Sequence, residues 1–184
     1  MRIGILVIGD ELLLGKRQDK HLPKMIEILG AHGLRLDWAR FVGDDPPLLE
    51  TTLRESFASG DVVFSFGGIG ATPDDVTRQC AAAAAGVLLV RHAEAVALIE
   101  ARFGGSAYPN RVLMADLPQG ARLIPNPVNQ IPGFSLHQHH FLPGFPNMAW
   151  PMVEWVLDTH YRLLFRAQPE SERIVMVYDV AESA

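Results

Sequence analysis

The sequence predicts an α/β domain, a three-layer αβα sandwich on a mostly parallel sheet with a small additional β region. Short continuous apolar runs at residues 2–8, 34–42 and 61–66 have the length of strands buried on both faces. Each is followed by a stretch of helical periodicity, and Gly, Asp and Pro punctuate the joins. Three strand–helix units in succession imply parallel strands joined by right-handed crossovers. A chain of 184 residues, 48% hydrophobic and 20% charged, can bury a core of that kind.

The first run ends at Gly9-Asp10-Glu11, and Leu22, Met25, Ile26 and Leu29 then recur at helical spacing over 19–29, with Gly30 and Gly33 as stops. After the second run, Gly43-Asp44-Asp45-Pro46-Pro47 breaks the chain and opens a helix over 46–59. The third run passes directly into Gly67-Gly68-Ile69-Gly70, with a helix expected from near Asp75 through Ala85. Beyond Gly86 the pattern predicts helices over 93–103 and 110–115, short strands at 121–124, 134–136 and 140–142, and a closing helix over 147–164. The main domain is therefore expected over 1–166. Residues 167–184 form a tail or the start of a second module, because the strand signal at 173–178 has no partner of its own.

Composition excludes several function classes. A net charge of −5, with no cluster of Lys and Arg, does not suit a nucleic-acid surface, so any polyanionic partner is expected to be small. A single cysteine, Cys80, rules out an internal disulfide framework and fits a reducing, cytoplasmic setting. No apolar run reaches the roughly 18 residues a membrane-spanning helix needs, so no membrane partner is expected.

The loop from Gly67 to Thr77, GGIGATPDDVT, carries the chemistry. Small residues let a ligand approach the backbone, and a helix N-terminus attracts anions, so this loop is read as a phosphate cradle at the carboxyl ends of the strands. The glycines alone would also suit a plain tight turn, with Thr72 or Asp74 as a cap. Asp74 and Asp75 shift the balance: beside a phosphate they would repel it unless a divalent cation lay between, and Mg²⁺ is the usual occupant of such a site. Asp44 and Asp45 end the neighbouring strand and are candidate further ligands, with capping of the next helix as the competing role.

The segment GDELLLGKRQDKH lacks the spacing and the hydroxyl residue of a P-loop, but Asp10, Glu11, Lys16 and Asp19 fall at the same rim and are candidate pocket contacts, with solvated loop charges as the competing reading. His137, His139 and His140 are not read as a zinc site, because strand alternation sends neighbours to opposite faces. Cys80, among alanines, reads as a small core residue.

Five segments in order, IGDELLLGK with Asp19, VGDD, GGIGATPDDVT, NRVLMADLPQGARLIPNPV and LPGFPNMAWPM, resemble the molybdopterin-binding fold of molybdenum-cofactor biosynthesis proteins, in particular the amino-terminal domain of CinA-type (competence/damage-inducible) proteins. The resemblance implies a molybdopterin- or nucleotide-binding domain whose ligand phosphate rests on Gly67, Gly68, Gly70 and Thr72, with Asp10, Glu11, Pro143 and Gly144 as further contacts. The carboxylates flanking the anion loop are expected to hold a divalent cation on Asp44, Asp74 and Asp75, and the resemblance places the functional aspartates on Asp44 and Asp75. It also implies a dimer or trimer. Mog-type relatives process an adenylated pterin, whereas CinA-type domains are associated with metal-dependent cleavage of ADP-ribose-like or flavin nucleotides. The expected function is thus hydrolysis of a nucleotide pyrophosphate, with pure binding or adenylyl transfer as the alternatives. The chain departs from the family pattern at Ser65-Phe66, at Ala71 and at Asn147-Met148-Ala149. The deamidase activity of the carboxy-terminal domain of full-length relatives is not carried over.

Overall fold

The computed structural model describes residues 2–166. The elements run β1 (Ile3–Ile8), α1 (Asp10–Leu13), α2 (His21–Ala31), β2 (Trp38–Val42), α3 (Pro46–Ser59), β3 (Val62–Phe66), α4 (Thr77–Ala85), β4 (Leu89–Arg91), α5 (Ala93–Phe103), β5 (Asp116–Pro118), β6 (Arg122–Ile124), β7 (Gly133–Leu136), β8 (His139–Leu142) and α6 (Pro146–Val156). The expected strand at 173–178 lies outside the described residues. Among those described, no helix is long and apolar enough to cross a membrane.

Strands β2, β1, β3, β8, β7 and β6 form one sheet in that order. The first three interfaces are parallel, and β8–β7 and β7–β6 are antiparallel. Strand alternation divides the core in two. Ile3, Ile5 and Val7 face one layer, where Met25 and Leu29 of α2 and Met152 and Val156 of α6 are buried. Leu6 and Ile8 face the other, with Leu49 and Leu53 of α3, Cys80 and Ala81 of α4 and Ile99 of α5. The αβα sandwich is therefore as expected, and Cys80 is a buried core residue.

The short strands expected at 121–124, 134–136 and 140–142 are present and complete the main sheet. The small sheet is the antiparallel pair β4–β5, unforeseen because each strand has three residues and β4 is exposed throughout. The second strand begins at Trp38 rather than Leu34, because it is the sheet edge and only Val42 is buried. The closing helix stops at Val156, and a wider π turn over Leu157–Tyr161 follows. That turn carries Tyr161, whose hydroxyl lies 2.8 Å from His140 Nε2.

The chain leaves β1 for β2 on one side and returns to β3 on the other, so β1 and β3 flank the point where strand order reverses. In open α/β sheets, ligands bind in the crevice beyond the carboxyl ends of such strands. Gly9 and Gly67 stand at those two ends.

Candidate functional site

A cavity of about 750 Å³ opens at this switch point. Its polar rim comes from the loop after β1 and the Gly67–Asp75 loop. Its apolar end comes from Phe103, Met114, Ile131, Pro132 and Met148. The rim is acidic: Glu11, Asp19, Asp44, Asp74 and Asp75 line the cavity against two cations, Arg17 and Lys20.

The loop after β3 is set by two residues of α4. Thr77 donates its hydroxyl to Gly67 O at 3.1 Å and its amide to Gly68 O at 3.0 Å, and Arg78 Nη1 donates to both Ile69 O and Gly70 O. Four successive carbonyls are thereby drawn into the protein. In a planar trans peptide, the N–H of the following residue points opposite to the carbonyl. The amides of Gly68, Ile69, Gly70 and Ala71 are therefore turned away from these donors, and none of them donates to a partner among the described residues. A row of free amides is the kind of feature that can receive an anion. The conformation requires glycine at its start. Gly67 and Gly68 have φ of +104° and +68°, and a Cβ on Gly68 would run into the Thr77 hydroxyl.

This arrangement revises part of the expected cradle. The helix after the loop starts at Thr77, not near Asp75, and the Thr77 amide is already engaged by Gly68 O. The Gly67 amide donates to Leu142 O at 3.0 Å, and the Thr72 amide to Asp75 Oδ2 at 2.9 Å. Of the four residues expected to hold phosphate, Gly68 and Gly70 offer free amides, while Gly67 and Thr72 shape the loop. Asp75 Oδ2 also accepts the Thr72 hydroxyl, so this carboxylate closes the turn as well as lining the cavity.

The remaining carboxylates separate by role. Asp45 accepts from Leu48 N at 2.9 Å and caps α3, as its competing role required. Asp44 faces the cavity. Its Oδ2 accepts the Asp10 amide at 2.9 Å, while Asp10 Oδ1 accepts the Asp44 amide at 3.1 Å, a reciprocal clasp between the first two strand ends. Asp10 is thus spent on that clasp, whereas Glu11 lines the cavity. Burial pushes the Asp44 carboxyl above its usual range, as do the carboxylates of Asp10, Glu11 and Asp74, against the pull of the Asp10 amide. Asp19 lines the wall but caps α2, accepting from His21 N and Leu22 N, each at 2.9 Å. Lys16 is exposed and does not line the cavity. Among the described residues, no three His, Cys, Asp or Glu side chains converge as a preformed metal site.

Pro143 and Gly144 close the far rim, where Gly144 lies against Gly67. His21 fixes this turn. Its buried ring stacks on Phe66 at 4.2 Å, and Nε2 donates to Gly144 O at 3.1 Å. Burial lowers its pKa, so the ring is held neutral. The sequence signals missed were His21, Arg78 and Asn126, whose types at those positions look like ordinary helix or turn residues. His139 and His140 do point to opposite faces: the first bonds Ser56 Oγ at 2.7 Å, the second Ser135 Oγ at 2.8 Å.

Residues 4–162 match the family described as a probable molybdopterin binding domain. The chain belongs to this family. Within the molybdopterin-binding family it is similar to CinA-like proteins: 35% identity over 190 residues to that of Syntrophotalea carbinolica, covering 99% of this chain and 46% of the relative, and 35% over 191 residues to that of Anaeromyxobacter dehalogenans, covering 100% and 46%. The chain spans a little under half the length of these relatives. Among solved structures, CinA of Thermoplasma acidophilum, a protein of unknown function, superposes with a TM-score of 0.77 at 27% identity, over 86% of this chain and 98% of that one. The molybdopterin biosynthesis Mog protein of Mycobacterium ulcerans shares the fold, with a TM-score of 0.55 at 18% identity over 89% and 96%. The chain is a molybdopterin-binding-family domain of CinA type.

Proposed function

We propose that the cavity binds a small molecule combining a phosphate or pyrophosphate with a flat heterocycle, a pterin or a nucleotide, and hydrolyses a nucleotide pyrophosphate of the ADP-ribose or FAD kind. The run of free amides from Gly68 to Ala71 carries this reading, because it offers donors to phosphate oxygens on a cavity rim that is otherwise rich in carboxylates.

The acidic rim supports a divalent cation. A phosphate in the cavity would meet the carboxylates of Asp44, Asp74 and Asp75, and burial together with the neighbouring carboxylates already pushes the Asp44 carboxyl up. The absence of a preformed triad among the described residues suits Mg²⁺, which takes one or two carboxylates and completes its shell with water and ligand phosphate. Asp44 and Asp74 would hold it, with Asp75 contributing through Oδ1, since its other oxygen is engaged by Thr72. When bound, the cation supplies charge neutralisation and Lewis-acid contact at the phosphate oxygens. The same lack of convergence also favours a second reading, binding without turnover.

Calorimetric titration of inorganic pyrophosphate with and without Mg²⁺, on wild type and Asp44→Asn, tests the site. The expected result is metal-dependent binding that the variant weakens at least tenfold. Equal binding with the metal chelated would overturn the cation assignment.

A further inference from the structure

We propose that Asn126 is a specificity-determining residue for the heterocycle of the ligand, donating its side-chain N–H to an acceptor on the ring, a carbonyl oxygen or an unprotonated ring nitrogen. The inference rests on the functional reading above and extends it to the end of the cavity away from the phosphate.

Asn126 lies in the loop between β6 and β7, is 5% exposed, and lines the cavity beside the apolar wall. Its carbonyl oxygen is committed, accepting from Val128 N at 3.0 Å and more weakly from Asn129 N at 3.5 Å. These contacts settle the orientation of the amide. Rotating it by half a turn would set NH₂ against backbone N–H, donor facing donor. The group left over is therefore the donor Nδ2, which has no hydrogen-bond partner among the described residues. Nδ2 itself is not sealed from solvent; a ligand that fills the cavity would displace water from it, so a ring with an acceptor there replaces the lost hydrogen bond and a ring without one leaves the donor unsatisfied.

The neighbouring Asn129 is more fully engaged: its Oδ1 accepts from Ile131 N at 2.9 Å, and one N–H of its Nδ2 donates to Met148 Sδ at 3.0 Å. Pro125 and Pro127 stiffen the loop on either side of Asn126, and all three residues also line a smaller cleft with Pro151 and Trp155, so Asn126 stands between the two spaces. Ile131, Pro132 and Met148 surround Asn126 with apolar side chains, so this part of the cavity offers an amide donor in an apolar setting. That combination recognises a planar ring with one acceptor at its edge and disfavours a ring whose facing edge is a donor.

The test compares ring-bearing and ringless probes. Affinities for ADP-ribose, FAD and inorganic pyrophosphate are measured by calorimetry, with Mg²⁺ present, on wild type, Asn126→Asp and Asn126→Ser. Both substitutions keep an oxygen to accept the Val128 amide and remove the amide donor, and thermal melting confirms that each variant is folded. The expected result is a loss of about tenfold or more for whichever ring-bearing probe wild type binds, with pyrophosphate affinity in the serine variant within twofold of wild type. Unchanged ring-bearing affinity in both variants would overturn the role of Asn126 and leave the phosphate reading intact. A serine variant that loses pyrophosphate and ring-bearing probes equally would reduce Asn126 to a support of the loop. Failure of wild type to bind pyrophosphate would overturn the phosphate reading itself, and this inference with it.

Discussion

Replacing Arg78 by Met removes the donor that holds Ile69 O and Gly70 O inward while leaving an apolar side chain of similar length. Two charge-assisted hydrogen bonds of about 1.5–3 kcal/mol each are lost. Part of that loss is offset because the guanidinium is buried, a cost visible in its lowered pKa. A net destabilisation of about 2–4 kcal/mol is expected, lowering Tm by about 5–15 °C in a chain of this size. The larger consequence is functional. Once those carbonyls are free to rotate, the Gly70 and Ala71 amides are no longer held toward the cavity, and two of the four oriented donors are lost. Pyrophosphate affinity should fall about 10–100-fold, measured by calorimetry well below the variant's Tm. Arg78→Lys should recover part of the loss, since one ammonium can still reach one carbonyl. A folded Arg78→Met variant that binds pyrophosphate within twofold of wild type would refute the coupling between inward carbonyls and outward amides.

Other outcomes follow from the same geometry. Gly68→Ala should cost more ligand affinity than Gly86→Ala, a left-handed glycine with open space around it, because the added Cβ meets Thr77; parallel titrations and melts check this. Burial, together with neighbouring His137 for the first and His160, His139 and Arg122 for the second, lowers His139 and His140 to about 3 each. The unfolded chain titrates these groups near 6.5 and binds more protons below that pH, so stability present above pH 6.5 should drain away as pH falls toward about 3. Tm measured from pH 8 to pH 4 should show this decline, and His140→Gln should flatten it. The Cys80 thiol, pushed up to about 11 chiefly by burial, should react with iodoacetamide at pH 8 more than tenfold slower in the folded chain than in denaturant.

Much of this architecture could be read from residue order, for identifiable physical reasons. β1 and β3 are buried on both faces and so appear as unbroken apolar runs. α3 carries its own start signals in Asp45 and Pro46. The edges were harder to read. β2 is mostly exposed, and β4 and β5 have three residues each, too few to show a period. At the site, glycine and carboxylate types marked the loop but not the use of each group. The sequence could not distinguish an amide that is free, as at Gly68, from one already spent, as at Gly67, because that depends on Leu142 of a strand far along the chain. Arg78 reads as a solvated charge on a helix until the loop folds over it. Asn126 reads as a turn former, and only its turn contacts reveal which end of the amide remains free.

The reading of this domain as a metal-dependent pyrophosphatase is tested most directly by turnover. Product release from ADP-ribose and FAD should be followed with Mg²⁺, Mn²⁺ or Co²⁺ and again after chelation, in wild type and Asp44→Asn. Asp44 is the better probe than Asp75, whose carboxylate also closes the Thr72 turn. The account predicts cleavage of at least one substrate that requires the metal and falls at least a hundredfold in the variant. Tight binding of these nucleotides with no metal-dependent cleavage of either would contradict it and leave a binding domain in its place.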